Sequence, residues 1–210
     1  MGKLSGKITI VTGATSGIGR RTAEIFVAEG AKIVATGRRE ELGRSLEASL
    51  GKDNCLFVKT DATREADVKA MFEACLSKWG RLDCLFNNAG GQFPAPAAQM
   101  SAKGFDVVVR NNLTGGFIVS REVYTQSMQE HGGAIVNMTA DYRNGFPNMV
   151  HTGAALRGAG KGLDMLPDQY RITRQDLKEA LARQNVTLQK GDIVLIRTGR
   201  MKLYEHPQAY

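Results

Sequence analysis

Short apolar segments alternate with amphipathic segments along the first 140 residues of the chain. The apolar segments at 7–13, 32–37, 55–61, 82–90 and 134–140 predict five strands, because they are short, rich in β-branched or aromatic residues, and bounded by turn residues. Between them, apolar positions recur at helical spacing. The predicted helices cover residues 20–30, 39–50, 63–79 and about 102–130. This order predicts an α/β fold with a doubly wound parallel sheet, whose ligands bind at the carboxyl ends of the strands.

The alternation ends in a glycine-rich segment at 153–162, which predicts a domain boundary or a linker. Beyond it we expect a helix over 174–184 and one buried strand over 191–199. A sheet that lacks its later strands exposes an edge. The strand at 191–199 either covers that edge or packs as a separate element.

The composition is that of a globular protein, with 42% hydrophobic and 23% charged residues. It excludes wholesale disorder, and charged residues interrupt every apolar run before it reaches the roughly 20 residues that a membrane span needs. The chain enters its first strand at once, without an apolar leader, so we expect a cytoplasmic protein that does not act at a membrane.

The basic charge indicates an anionic small ligand rather than a nucleic acid. The net charge is +7, from 28 Lys and Arg against 21 Asp and Glu, but the cations are scattered and form no nucleic-acid module. The three histidines lie far apart, so no metal site is expected. The three cysteines have no metal-type spacing and read as reduced thiols: Cys55, Cys75 and Cys84.

A glycine cluster, GATSGIG at 13–19, lies between the first strand and the first helix. A pyrophosphate needs close approach to backbone amides, and a helix N-terminus carries a partial positive charge that favours an anion. The position of the cluster therefore favours a dinucleotide site over the alternative, a plain tight turn. The residues expected to line it are Gly13, Ser16, Gly17, Ile18 and Gly19.

The end of the second strand predicts a preference for NADP. Arg38 and Arg39 stand where an NAD-binding chain places an acid for the ribose 2′-hydroxyl, and an arginine there accommodates a 2′-phosphate. Arg38 is the first candidate and Arg39 supports it; the alternative is a solvated arginine at the start of a helix. Asp61, which ends the third predicted strand, is placed to accept a hydrogen bond from an adenine amino group.

The segments TGATSGIG (12–19) and NNAG (87–90), together with Asp61, resemble the short-chain dehydrogenase/reductase superfamily. The resemblance implies a Rossmann-like sheet, NADP(H), Asn88 and Gly90 at the cofactor, and hydride transfer to a small-molecule substrate. Residues 1 to about 155 resemble the peroxisomal trans-2-enoyl-CoA reductase group, which implies an acyl-CoA as a candidate substrate. The local matches include GGQF (90–93), NNLTGGF (111–117) and GFPNMVHTGAA (145–155).

The catalytic Tyr-x-x-x-Lys pair of that superfamily does not occur in this sequence. In the superfamily the lysine ammonium favours the tyrosine phenolate, so that the hydroxyl can exchange a proton near neutral pH. By the resemblance, Asn112 matches the family asparagine, and the serine position falls on Thr139 or Ala140, of which Thr139 could supply the hydroxyl. Tyr142 and His151 are possible substitutes for the missing acid; the alternative for each is a loop or helix-start residue without a catalytic role.

Residues 161–200 resemble a different family, the cyclases, which are metal-dependent hydrolases that include kynurenine formamidase. That family's His-x-Gly-Thr-His-x-Asp motif is absent. We therefore interpret the chain as a chimera of a truncated, NADP-binding reductase-like domain at 1–155 and a short α/β cyclase-like fragment at 158–210.

The sequence favours an NADP(H)-dependent oxidoreductase acting on an enoyl-CoA or a related carbonyl, with turnover in question because Tyr-x-x-x-Lys is missing. Two alternatives remain open. One is a nucleotide-binding module without catalysis, and the other is a cyclase-type hydrolase resembling arylformamidase. A homo-oligomer is conceivable, although the truncation argues against it.

Overall fold

The computed structural model describes residues 2–140, 148–159 and 193–198. Within these residues six parallel strands form one sheet in the order β3-β2-β1-β4-β5-β6. This arrangement confirms the predicted fold class and all five predicted strands. The strands are β1 (Ile8–Val11), β2 (Lys32–Gly37), β3 (Cys55–Lys59), β4 (Cys84–Asn87), β5 (Ala134–Ala140) and β6 (Ile193–Thr198).

Helices connect the strands and cover both faces of the sheet. They are α1 (Gly17–Ala28), α2 (Glu40–Leu50), α3 (Glu65–Trp79), α4 (Ala102–Val109), α5 (Gly115–Val123), α6 (Gln129–His131) and α7 (Val150–Ala159). A 3₁₀ turn at Ala97–Gln99 lies in the long loop before α4.

The helical stretch over 102–131 follows the prediction, but it is not a regular α-helix. Two π-helical segments, Arg110–Thr114 and Tyr124–Met128, separate α4, α5 and α6. In the first segment, the Asn112 side chain donates to the Val108 carbonyl oxygen at 2.8 Å and so occupies an acceptor of the preceding helical turn. Such π segments inside helices are frequent at functional sites.

The core consists of two clusters, one on each face of the sheet, because the side chains of a strand alternate between the faces. Buried residues of β1 divide between them: Ile10 belongs to one cluster and Val11 to the other. The first cluster packs against α3 and α5 through Val68, Phe72, Val119 and Val123, and the second packs against α1 and α2 through Ala23 and Leu46.

Side chains of α2 cover the free edge of β3. The buried Phe57 N–H donates to Glu47 Oε1 at 2.9 Å. The Arg44 guanidinium lies 5.5 Å from the Phe57 ring centroid and donates to the Phe57 carbonyl oxygen at 3.4 Å. These contacts satisfy groups that an open edge would offer to another strand.

At the opposite edge, β6 pairs in parallel with β5, from Ile135 with Ile193 to Ala140 with Thr198. Of the two arrangements considered for the strand at 191–199, the structure has the one that covers the sheet edge. The predicted helix at 174–184 lies outside the described residues, and the division into domains at 155–158 stays a prediction. None of the helices in the described ranges is long and apolar enough to cross a membrane.

Candidate functional site

A cleft of about 380 Å³ opens at the carboxyl ends of β1, β2, β3 and β4. Its walls are the loops that follow these strands, which is where a parallel sheet of this kind binds ligands. Eight of the ten residues predicted for cofactor binding line it: Gly13, Ser16, Ile18, Arg38, Arg39, Asp61, Asn88 and Gly90.

The glycine cluster contributes Gly13, Ser16 and Ile18 to the cleft lining and opens directly into α1. The first α1 residues are exposed, and in the described structure the Ser16 side chain does not cap their amides. Unpaired amides at a helix N-terminus form an anion site. Gly17 begins α1 with a φ of 54°, a left-handed conformation that glycine adopts without strain.

Gly19 is buried and has a packing role rather than a place in the cleft wall. A Cβ at this position would overlap the Gly13 carbonyl oxygen and lie 2.6 Å from Asn88 Nδ2. The absence of a side chain therefore lets α1 approach the loops after β1 and β4 closely. Of the predicted phosphate-site residues, Gly17 and Gly19 thus shape the cleft without being among its lining residues.

The two arginines after β2 lie at different parts of the cleft. Arg39 donates from Nε and Nη2 to Thr15 Oγ1, at 3.2 and 3.0 Å, and from Nη2 to Ser16 Oγ. Arg38 is close enough to Asp61 to help lower the pKa of its carboxyl group. Both arginines are exposed, so their guanidinium groups can reorient toward an anionic ligand. The sequence placed Arg38 first, but Arg39 is the arginine that contacts the glycine cluster.

Asp61 lies just beyond β3 and carries a negative charge at neutral pH. Its Oδ1 accepts hydrogen bonds from Thr63 N at 2.9 Å and Thr63 Oγ1 at 2.8 Å. Partial burial acts to raise the pKa of Asp61, but the two Thr63 bonds and the nearby Arg38 and Arg64 bring it below its ordinary value. The carboxylate is therefore an acceptor held ready at the cleft wall.

A buried hydrogen-bond network joins the glycine cluster to the loop after β4. Thr12 Oγ1 accepts from Asn88 N at 2.9 Å and Ala89 N at 2.8 Å, and donates to Asn87 Oδ1 at 3.2 Å. Asn88 Nδ2 donates to the Thr12 carbonyl oxygen at 3.0 Å. The network fixes the two loops relative to each other. The sequence pattern indicated the NNAG segment through the family resemblance, but it did not identify Thr12 or Asn87 as the residues that join the two loops.

The same asparagine extends the network to β5 and α5. Asn87 Nδ2 donates to Asn137 Oδ1 at 2.9 Å and to the Gly116 carbonyl oxygen at 3.0 Å. Since Asn87 is buried, these bonds stabilise the carboxyl end of β4 away from water.

Asn112, predicted as a catalytic residue, binds the loop beside the cleft. Its Nδ2 donates to the Gly91 carbonyl oxygen at 2.7 Å, and its Oδ1 accepts from Gly91 N at 3.2 Å. Its sequence neighbour Asn111 lines the cleft. The carboxamide of Asn112 thus holds Gly91 and the first π-helical segment in place.

Of the three remaining predicted catalytic residues, the structure describes two. Thr139 lies near the carboxyl end of β5 and is half-buried, on the strand next to the cleft-forming β4. Tyr142 lies outside the described residues. His151 is fully buried in the first turn of α7, which packs against α4 and the first π-helical segment.

The described ranges bring no three potential metal-ligating side chains together. The three cysteines are free, and burial raises the pKa of Cys55 and Cys75 to about 12, so these thiols are protonated and unreactive.

Comparison with known proteins identifies the family. The model of the short chain dehydrogenase family matches residues 7–163. The chain is 38% identical to momilactone A synthase of Oryza sativa subsp. japonica over 138 residues, which are 64% of this chain and 50% of that protein. It is 38% identical to peroxisomal 2,4-dienoyl-CoA reductase [(3E)-enoyl-CoA-producing] of Rattus norvegicus over 157 residues, covering 72% of this chain and 53% of that enzyme. The chain therefore spans about half the length of these relatives.

Solved structures agree. A citronellol catabolism dehydrogenase of Pseudomonas aeruginosa PAO1 superposes with a TM-score of 0.71 at 42% identity, covering 76% of this chain and 66% of that one. The 3-ketoacyl-(acyl-carrier-protein) reductase of Brucella melitensis, complexed with NADH, gives a TM-score of 0.69 at 31% identity, covering 75% and 66%.

Proposed function

The chain belongs to the short-chain dehydrogenase family, and on that premise we propose that its cleft binds NADP(H) and that it reduces an enoyl-CoA or a related carbonyl compound. The observation that carries the proposal is the set of chemical groups around the cleft. A glycine-built helix N-terminus forms one side, two guanidinium groups stand at the end of β2, and a carboxylate follows β3.

The lining residues fit a phosphorylated dinucleotide. The amides at the start of α1 would hold the diphosphate, and Asp61 would accept from the adenine amino group. Arg38 and Arg39 would contact the 2′-phosphate. The next residue, Glu40, is the nearest acid that could serve a 2′-hydroxyl instead, but it pairs with Lys59 at 3.3 Å and Arg44 at 3.8 Å and does not line the cleft.

A bound nicotinamide cofactor supplies the hydride in reductions of this kind. The chain must then position the substrate and deliver a proton. Thr139 and Tyr142 are the candidates for the hydroxyl groups that do so, and Asn112 would hold the Gly91 loop that borders the site. The rat relative, named as a dienoyl-CoA reductase, supports an enoyl thioester as the substrate.

A second candidate function is nucleotide binding without turnover. The absence of Tyr-x-x-x-Lys from the sequence favours it, as does the engagement of the Asn112 carboxamide with Gly91 and Val108. The cyclase-like hydrolase remains a third hypothesis, resting on a segment mostly outside the described residues and largely beyond the end of the family match at residue 163. The cytoplasmic location also stays a prediction, since the rat relative is named as peroxisomal.

The decisive experiment compares NADPH with NADH in fluorescence titrations of the wild-type protein, Arg38→Leu and Arg39→Leu. A hydrogen bond to a charged group contributes about 1.5–3 kcal/mol, so each variant should bind NADPH about 10- to 150-fold more weakly and NADH almost unchanged. Arg21→Leu is the matched control, because Arg21 is exposed on α1, pairs with Glu24 at 3.0 Å and does not line the cleft. Equal weakening of both nucleotides would refute the 2′-phosphate assignment.

Turnover separates the candidate functions. Oxidation of NADPH with crotonyl-CoA indicates a reductase, and Tyr142→Phe should then abolish it. Nucleotide binding without oxidation indicates a binding module. Hydrolysis of N-formylkynurenine with added divalent metal would support the cyclase-type hydrolase.

A further inference from the structure

The His151 imidazole carries a polar atom that finds no partner within the described part of the chain. The residue has 0% exposure. Its Nδ1 accepts from Thr152 N at 2.7 Å and lies 3.2 Å from Thr152 Oγ1, which leaves Nε2–H as the donor of the ring. Nε2 is buried and makes no hydrogen bond among the described residues. An unmade bond of a buried donor costs about 1–3 kcal/mol, and such groups in native proteins call for an explanation.

Phe93 covers this imidazole and is itself partly in solvent. The two rings pack edge to face, with centroids 4.8 Å apart and an interplanar angle of 77°. Phe93 is 40% exposed although it is a large apolar side chain. Its other side faces the start of α4, where a Cβ on Gly104 would lie 3.1 Å from Phe93 Cζ. Among the described residues, Phe93 is thus a partly exposed ring in direct contact with the buried imidazole.

The location of the pair connects it to the cleft. Phe93 follows Gly90 and Gly91 in the loop after β4, and Gly90 lines the cleft. The same loop reaches the start of α7 through a backbone bond from Ala95 N to the Asn148 carbonyl oxygen at 2.7 Å. His151 thus lies behind the loop that borders the cleft.

We propose that His151 Nε2–H is a substrate-binding donor, which Phe93 covers in this structure and which hydrogen-bonds the substrate carbonyl oxygen when Phe93 moves aside. The inference rests on the proposed reductase function. A neutral donor beside an aromatic ring suits a neutral acceptor, because burying a carboxylate there would cost far more than burying a carbonyl. The N-terminal end of α7 adds a partial positive charge that favours an oxygen atom.

This role differs from general acid catalysis. A neutral imidazole that already accepts at Nδ1 donates a hydrogen bond from Nε2 without giving up its proton. His151 therefore binds and orients a carbonyl, and the proton for the reaction comes from another group.

The test measures crotonyl-CoA binding by calorimetry to protein saturated with NADP⁺, which carries no hydride and so permits no reduction. His151→Phe fills a similar volume without the donor and should weaken crotonyl-CoA about 5- to 150-fold while NADP⁺ affinity stays unchanged. His151→Gln retains an N–H at the outer end of the side chain and should restore most of the loss. A merely structural role would instead make crotonyl-CoA affinity follow the melting temperatures of the two variants.

A second measurement needs no ligand and keeps His151 in place. Phe93→Leu should speed hydrogen–deuterium exchange at His151 Cε1, read by mass spectrometry against the exposed His131 as an internal reference. Unchanged exchange overturns the cover that Phe93 provides. Failure of the wild-type protein to bind NADP⁺ defeats the proposed function and with it the substrate role of His151, whereas the exchange result still decides whether Phe93 covers the imidazole. NADP⁺ binding with equal crotonyl-CoA affinity in wild type and His151→Phe, or with no crotonyl-CoA binding at all, overturns the inference and leaves the cofactor site standing.

Discussion

Replacing Gly19 with alanine tests whether close approach of α1 to the loops after β1 and β4 builds the cleft. The new Cβ would overlap the Gly13 carbonyl oxygen and lie 2.6 Å from Asn88 Nδ2. The Gly13 carbonyl belongs to the backbone, and Asn88 is held because its Nδ2 also donates to the Thr12 carbonyl oxygen at 3.0 Å. Overpacking of this kind costs about 1–3 kcal/mol, and alanine's higher helix propensity returns up to about 1 kcal/mol.

Subtracting a return of up to about 1 kcal/mol from a cost of about 1–3 kcal/mol leaves a net loss of up to about 3 kcal/mol, which should lower the melting temperature by up to about 12 °C, using the shift of roughly 2–4 °C per kcal/mol for chains of this size. The displaced helix start should also weaken NADPH binding by tenfold or more, measured by fluorescence titration. A stable Gly19→Ala protein that binds NADPH normally would refute the packing argument.

Gly80→Ala is the matched control for this prediction. Gly80 ends α3 with a φ of 76°, and a Cβ there would meet nothing within 4 Å. The variant should lose about 1–2 kcal/mol through backbone strain alone. Its NADPH affinity should stay unchanged, which separates damage to the cleft from loss of stability.

Three further predictions follow from buried or charged groups. Glu47→Ala leaves the buried Phe57 N–H without its acceptor and should lower the free energy of unfolding by about 1–3 kcal/mol in urea titrations. Glu47→Gln keeps an acceptor oxygen and should retain most of the wild-type stability. Equal losses in the two variants would contradict the role of this bond. Burial raises the pKa of Cys55 and Cys75 to about 12, so both thiols should react with iodoacetamide only after unfolding. The free energy of unfolding should fall as the pH rises above about 8.5, because the thiols then ionise in the unfolded state. Fast labelling of the native protein would contradict this. Because the pKa of Asp61 is lowered in the folded state, its carboxylate stabilises the fold above about pH 4, and this stabilisation is lost as the pH falls. Asp61→Asn should therefore flatten the decrease in melting temperature between about pH 5 and pH 3, and an unchanged decrease would count against this role.

The sheet could be predicted from the sequence because its signals are local. Each predicted strand is a short apolar run that ends near a turn residue, and β2 and β5 have the predicted bounds at 32–37 and 134–140. β1 is shorter than predicted, since the backbone leaves the sheet at Thr12 to form the cleft loop. The apolar runs did not predict the strand order, because which strands pair depends on contacts between residues distant in sequence.

The π-helical segments could not be predicted, because they depend on tertiary contacts. The apolar pattern at 102–130 fits one continuous helix, but Asn112 binds both Val108 within the helix and Gly91 outside it. A side chain that satisfies a helix carbonyl and a distant loop at once has no signature in hydrophobic periodicity. The resemblance to a family identified Asn112, while its contacts came only from the structure.

The candidate site divides in the same way. Backbone requirements leave a strong signal in the sequence, and the glycine cluster lies where the structure has a cleft. Side-chain orientation leaves a weaker trace: Arg38 and Arg39 are indistinguishable as letters, yet Arg39 contacts Thr15 and Ser16 whereas Arg38 influences Asp61. A buried donor such as His151 Nε2 leaves no trace at all, because the unmade bond exists only after Phe93 and Thr152 have packed around the ring.

The cofactor cleft and the proposed substrate side should differ in how they tolerate substitutions. The proposed diphosphate contacts use backbone amides and should survive most substitutions outside the glycines, since the amides belong to every residue, whereas the proposed 2′-phosphate contacts depend on Arg38 and Arg39. The proposed substrate side depends instead on the individual side chains of Phe93 and His151. Single substitutions there should therefore alter carbonyl binding while leaving nucleotide affinity intact. Nucleotide titration and carbonyl titration of the same variants separate the two halves, and a variant of the substrate side that lost both affinities together would show that the halves are coupled.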